Sequence, residues 1–174
     1  MRVEAEREYG DYVEARAARL VRFAYLLCGD WHRAEDTVQN ALTKLYLAWP
    51  RLTRTTAVDA YVRRIVLRVL ADEGRLARFR RERPHDTLPE PPAAPDATDT
   101  LGERIAVIEA LRLLPPRQRA AVVLRFWEDQ SIEQVAEALG CSIGTVKSQT
   151  TRGLQALRGL LGDRVSVSSE RSER

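Results

Sequence analysis

From Tyr9 onward apolar residues recur at steps of three and four. Tyr12, Val13, Ala17, Leu20, Val21, Ala24 and Leu27 make the single stripe of an amphipathic helix, and Gly29 ends it. Asp30 is placed to cap a second helix whose inward stripe is Val38, Ala41, Leu42, Leu45 and Trp49, until Pro50 prevents continuation. A third helix is predicted from Thr56, with Asp59 completing a variant capping box. Val58, Val62, Ile65, Val66 and Val69 form its apolar side, and the pattern runs on toward Arg81.

Periodicity then stops. Residues 84–100 hold five prolines and no apolar repeat, so burial cannot offset the entropy of ordering them, and they read as a linker. Beyond it Ile105, Ile108 and Leu111 begin a second helical set, broken by Pro115 and Pro116, which suit the first turn of the next helix. That helix carries Ala121, Leu124 and Phe126 or Trp127. In the following segment Ser131 and Gln134 form a capping box, and Gly140 sits where a left-handed turn closes a helix. Ser142 caps a final helix expected to reach about Leu161, followed by a polar, Ser-rich tail. The predicted architecture is all-α, with two small helical domains at 8–83 and 103–162, an acidic Pro-rich linker at 84–102 and a disordered tail at 163–174.

A net charge of +3 decides nothing about partners, but its distribution is uneven. Nine Arg against four acids lie between Arg54 and Arg83, whereas Pro84 to Gly102 holds four acids and neither Lys nor Arg. Tyr61, Arg64, Arg68, Asp72 and Arg75 follow helical spacing, and Arg78, Arg80 and Arg81 extend a basic ridge along which phosphates can lie. A merely solvated basic face accounts for the same spacing.

The clearest motif is residues 131–161: a short helix, a Gly-containing turn and a longer helix, as in a helix-turn-helix. Val146, Thr150, Gly153, Leu154, Leu157 and Leu161 fall on one side of the longer helix, leaving Gly144, Lys147, Ser148, Thr151, Arg152 and Gln155 on the other. An ordinary antiparallel helix pair also has a polar outside, but its solvated face usually carries acids. There is none from Ile143 to Leu161, which favours duplex DNA as the partner.

AEDTVQNALTKLYLAW (34–49), the stretch from AYVRRIV to RLARFRRER (60–83), LPPRQRAAVVLRFWED (114–129) and SIEQVAEALGCSIGTVKSQTTRGLQALR (131–158) together resemble the extracytoplasmic-function sigma factors, the SigE-like subgroup above all. The resemblance covers most of the chain in the family's order. It implies an alternative sigma factor that binds RNA polymerase core, recognises minus-10 and minus-35 promoter elements and promotes strand opening. The first domain would correspond to sigma-2, which binds the beta-prime clamp helices, and the second to sigma-4, which reads the minus-35 element and meets the beta flap.

Carried onto this chain, the resemblance assigns core binding to Asp36, Gln39, Asn40, Thr43 and Leu47, which helical phase leaves outward. Glu35 and Asp36 also suit a helix N-terminus through its dipole. Minus-10 contacts fall to Tyr61, Arg64, Arg68, Asp72, Arg75, Arg78, Arg80 and Arg81, and minus-35 contacts to Ser142, Gly144, Thr145, Lys147, Ser148, Thr151 and Arg152. The chain departs from the family where an Asn is common and Arg68 stands, and where Glu73 and Gly74 follow Asp72. In the family the acidic linker passes through the polymerase's RNA path, where its charges would mimic nucleic acid; a plain tether is the other reading.

Nothing points to catalysis. There is no P-loop, GxGxxG or GxSxG, and His32 and His85 stand outside any metal-ligand spacing, so no cofactor or metal is expected. Cys28 and Cys141 read as reduced structural thiols, and Trp31, Trp49 and Trp127 as core residues. No apolar run approaches the ~20 residues of a membrane span, and the first ten residues lack a signal-peptide core, so a cytoplasmic, nucleoid-associated protein is expected. Two rival readings remain: a stand-alone helix-turn-helix regulator, which would dimerise on a two-fold operator, and an interaction module for acidic proteins. A sigma factor would be monomeric when free, with an anti-sigma factor as a possible antagonist.

Overall fold

The computed structural model of the chain describes residues 2–52, 55–80 and 100–171. It divides into two compact units, Met1–Pro89 and Glu90–Arg174. All the regular structure among the described residues is helical.

The first unit consists of α1 (Arg2–Cys28), α2 (Trp31–Ala48), a 3-10 turn (Trp49–Arg51) and α3 (Thr55–Arg80), with each helix packed on the other two. Asp30 caps α2 as its sequence position predicts, its carboxylate accepting the Arg33 N–H at 2.8 Å. Pro50 lies in the 3-10 turn that ends α2. The core is built from Phe23, Val38, Leu45, Val62 and Val66, all essentially inaccessible, and each such side chain contributes roughly 1.5–3 kcal/mol by leaving water. Phe23 and Leu26 are buried although the predicted α1 stripe omits them, because α1 is clasped by two helices and buries a wider arc than one stripe. Asp59, expected to complete a capping box, also reaches across to α1. Its carboxylate accepts the Tyr12 hydroxyl at 2.8 Å and lies 3.6 Å from the Arg16 guanidinium, tying α3 to α1. At the other end Arg33 donates to Glu73 at 2.8 Å, so α2 and α3 run antiparallel.

The second unit consists of α4 (Thr100–Leu113), α5 (Pro116–Val122), a π turn (Val123–Trp127), α6 (Ile132–Leu139) and α7 (Ile143–Arg171), with α4, α5 and α6 packed on α7. Pro116 opens α5, and Arg119 reaches back to donate to the carbonyls of Arg112 at 2.8 Å and Leu114 at 3.0 Å, closing the open end of α4. Leu124, Val135 and Val146 are fully buried between the helices, whereas Ile105, expected inside, is 40% exposed near the start of α4.

Two further expectations fail in the second unit. Trp127 is 49% and Phe126 60% exposed, so neither belongs to the core. The cause is the π turn, in which the Glu128 N–H reaches the Val123 carbonyl at 3.1 Å; the extra residue rotates both aromatics outward while Leu124 stays inside. Helix α7 also continues to Arg171, past the Leu161 at which the apolar pattern stops, because no proline interrupts the backbone ladder there. Residues 81–99, with most of the expected linker, lie outside the described residues.

The thiols of Cys28 and Cys141 are free, and burial pushes the Cys28 thiol above its usual range. Trp31 stacks on Tyr25 with ring centroids 4.0 Å apart, and Trp49 meets Tyr9 and Tyr12 edge-on or tilted.

Candidate nucleic-acid and polymerase interfaces

The helix-turn-helix is α6, a tight turn and α7. Ser131 and Gln134 make the capping box reciprocally: the Gln134 N–H donates to the Ser131 hydroxyl at 3.2 Å and the Ser131 N–H to the Gln134 amide oxygen at 2.8 Å. Gly140, at φ 62°, ends α6 in the left-handed region, and the Cys141 N–H closes on the Ala136 carbonyl at 3.0 Å. Ser142 then starts α7, its hydroxyl accepting the Thr145 N–H at 3.1 Å. Two residues expected to touch DNA therefore also build the N-terminus of the helix.

On α7 the predicted division of faces holds in position. Val146, Gly153 and Leu157 are buried, Thr150, Leu154 and Leu161 half-buried, and Gly144, Lys147, Ser148, Thr151, Arg152 and Gln155 exposed. Gly153 permits the close approach beneath this face. A Cβ there would lie 2.7 Å from the Val122 methyl and 3.3 Å from the Gln118 carbonyl, so only glycine lets α7 settle this deeply on α5. In the first turn of α6, the fully exposed Glu133 carboxylate is held below the usual range by its own backbone N–H and by Ser131, with Arg125 and Lys147 adding a smaller effect.

In the first unit Asp36, Gln39, Asn40 and Thr43 are exposed along α2, and Leu47 is 73% exposed on its last turn. Leu47 does not stand with the other four alone. It lines an open groove with Lys44, Ala48 and Arg51, and the opposite wall is Tyr61, Arg64, Ile65 and Arg68 of α3. Tyr61, Arg64 and Arg68, read from the sequence as one face, thus share one concavity, while Asp72 is exposed on a later turn. Arg75, Arg78 and Arg80 belong to the end of α3, with side chains outside the described set, and Arg81 lies outside the described residues.

Sequence reasoning missed Lys44, Arg51, Ala48 and Ile65 as groove residues. Lys44, Leu47, Ala48 and Arg51 recur at helical steps, but only the antiparallel packing of α2 on α3 turns that row toward Tyr61. Among the described residues no group of three or more His, Cys, Asp or Glu side chains is placed to hold a metal ion, and no helix is long and apolar enough to cross a membrane.

Comparison with known proteins matches both units. Residues 12–83 fit the sigma-70 region 2 family and residues 104–157 the sigma-70 region 4 family. The chain is 40% identical over 151 residues to the RNA polymerase sigma-E factor of Streptomyces coelicolor, covering 87% of this chain and 84% of the relative. The chain belongs to the sigma-70 family, among the extracytoplasmic-function sigma factors. This sigma factor is also 38% identical to the sigma-E factor of Streptomyces avermitilis, over 90% of its own length and 87% of the relative's. It is 35% identical to the sigma factor SigM of Mycobacterium tuberculosis, with 83% and 72% covered. Its fold matches the sigma factor RpoE of Bartonella quintana, solved with the anti-sigma factor NepR, at a TM-score of 0.72 and 24% identity, covering 89% of this chain and 97% of that one. CnrH, solved with the cytosolic domain of CnrY, matches at 0.65 and 22% identity, with 91% and 90% covered. As a member of this family the protein directs promoter-specific initiation by RNA polymerase, and sigma factors are regulators without a reaction of their own.

Proposed function

We propose a division of labour between the two units. The exposed α2 face of Asp36, Gln39, Asn40 and Thr43 docks on the beta-prime clamp helices of RNA polymerase core, with Leu47 at its edge against the promoter strand. The groove beside it takes unpaired bases of the minus-10 element: Tyr61 and the arginine planes supply stacking surfaces, and Lys44, Arg51, Arg64 and Arg68 supply positive charge for the backbone. Asp72 and the basic residues Arg75, Arg78, Arg80 and Arg81 continue that track. Capture of unpaired bases offsets part of the cost of opening the duplex, and nucleotide addition belongs to the polymerase.

The second unit reads the minus-35 element with α7. Gly144 and Ser148 let the helix approach the major groove, Lys147 and Arg152 reach phosphate or guanine edges, and Ser142, Thr145 and Thr151 supply hydroxyls. The same unit meets the beta flap. The free protein is a monomer working in the cytoplasm where polymerase and chromosome are, and an anti-sigma factor holds it inactive; the RpoE of the same fold is solved with such a partner.

The observation that carries this reading is the groove, where an aromatic and four cations stand beside apolar walls. Its test is co-elution of the purified chain with RNA polymerase core on size exclusion. Equal stoichiometry is expected. Absence of association by folded, antagonist-free protein would transfer the assignment to a stand-alone helix-turn-helix regulator.

A further inference from the structure

The groove between α2 and α3 has a one-sided hydrogen-bonding character. Lys44, Arg51, Arg64 and Arg68 carry donors and no acceptor, and Leu47, Ala48 and Ile65 have no polar side-chain atom. No described residue of the lining is an acid or an amide, so among the described residues the Tyr61 hydroxyl is the single side-chain group of this lining able to accept. The bases differ in what they present to such a wall. Guanine offers O6 with N7, and thymine O4, as acceptors, whereas adenine and cytosine carry amino donors at the corresponding exocyclic position.

We infer that this groove sorts unpaired bases by their exocyclic group, accepting keto bases (guanine, thymine) over amino bases (adenine, cytosine), with Arg68 as the specificity-determining residue. The inference rests on the reading of the first unit as the strand-capturing domain. An amino base placed here sets donor against donor beside positive charge. Its amino N–H groups find no acceptor on Arg68, so the hydrogen bonds that a keto base makes there are lost, and a site built to hydrogen-bond one edge discriminates against the base that lacks it.

Arg68 is singled out on three grounds. It is exposed, so its guanidinium is available to an incoming strand, whereas Arg64 is half-buried. It shares the α3 wall with Tyr61, on which a base can stack, while Lys44 and Arg51 stand on the opposite wall. Its planar fork matches two neighbouring acceptors, where the Lys44 ammonium is a point charge better suited to phosphate. An asparagine at this position would add a carbonyl acceptor and admit amino bases; arginine removes that option.

The test uses the full chain assembled with RNA polymerase core and fork-junction DNA whose non-template strand carries a randomised single-stranded segment. Retained strands are sequenced for the native protein, Arg68→Asn and Arg68→Lys. One position is expected at which keto bases outnumber amino bases by about tenfold. Arg68→Asn should bring that position to within about twofold of parity and leave the other positions unchanged, while Arg68→Lys, which keeps a donor but loses the fork, should retain only part of the bias. A segment with no keto-biased position, or a bias that survives Arg68→Asn, overturns the inference. Retention no greater than by core alone removes instead the strand-capture reading on which it rests.

Discussion

Two hydroxyls in the first unit stand in opposite situations. Thr37 is completely buried on α2, and its Oγ1 has no hydrogen-bond partner among the described residues. Replacing an unpaired buried hydroxyl by a methyl of the same shape removes a desolvation penalty, so Thr37→Val should stabilise the protein by up to about 1 kcal/mol. Thermal melting checks this, and a lower midpoint would refute it. Tyr12 is the paired case. Burial first, and then the bond to Asp59, hold its phenol protonated far above the ordinary value near 10. A group whose pKa is raised by folding contributes fully below its unfolded value and loses that contribution as pH climbs beyond it. Tyr12→Phe should therefore lower stability at neutral pH and flatten the loss of stability above pH 10, as read by urea unfolding across an alkaline series. Neither situation was legible in the sequence. Thr37 and Tyr12 fit their helices either way, and only the neighbours that pack on them decide whether a polar atom finds a partner.

At the scale of elements, the second unit owes its geometry to a helix seat and a helix face. Gly153→Ala adds a Cβ 2.7 Å from the buried Val122 methyl, which forces α7 away from α5. The cost of such overpacking, about 1–3 kcal/mol, outweighs the roughly 1 kcal/mol gained in helix propensity, so the variant should melt lower. A variant as stable as the parent would show that α5 can yield. On the opposite face, Lys147→Ala and Arg152→Ala should each weaken binding of minus-35 DNA by the holoenzyme. Where the contact is to phosphate, each lowers the slope of log affinity against log salt by about one. Unchanged affinity in both would remove α7 as the recognition helix. The helix-turn-helix was legible because its signals are local: the Ser131–Gln134 box, Gly140 and the Ser142 start all act within one turn. The π turn was not, since one extra residue in a turn leaves no mark in composition, and it alone moved Phe126 and Trp127 from the expected core to the surface.

For the whole molecule, function depends on surfaces rather than on the core. Asp36→Arg combined with Gln39→Ala reverses the charge on the exposed α2 face without touching Val38, Leu45 or any other buried residue. The pair of substitutions should abolish co-elution with RNA polymerase core while circular dichroism and melting stay as in the parent; normal co-elution would move the docking face elsewhere. The two units rest on separate cores, and the resemblance to sigma factors read from four sequence stretches is matched by one sigma-70 family on each unit.

Local sequence was sufficient for the helical class, the caps at Asp30, Ser131 and Gly140, the buried stripe of α2 and the two faces of α7. Each of these depends on spacing along one helix or on a hydrogen bond spanning three or four residues, so the chain carries the information in consecutive positions. Tertiary structure alone decided that Phe23 completes the first core, that Asp59 meets Tyr12 and Arg16 of α1, and that Lys44, Leu47 and Arg51 face Tyr61, Arg64 and Arg68 across one groove. Those outcomes turn on which helix packs against which, and at what rotation. That is a sum of many small contacts between residues distant in sequence, and no single stretch of the chain encodes it.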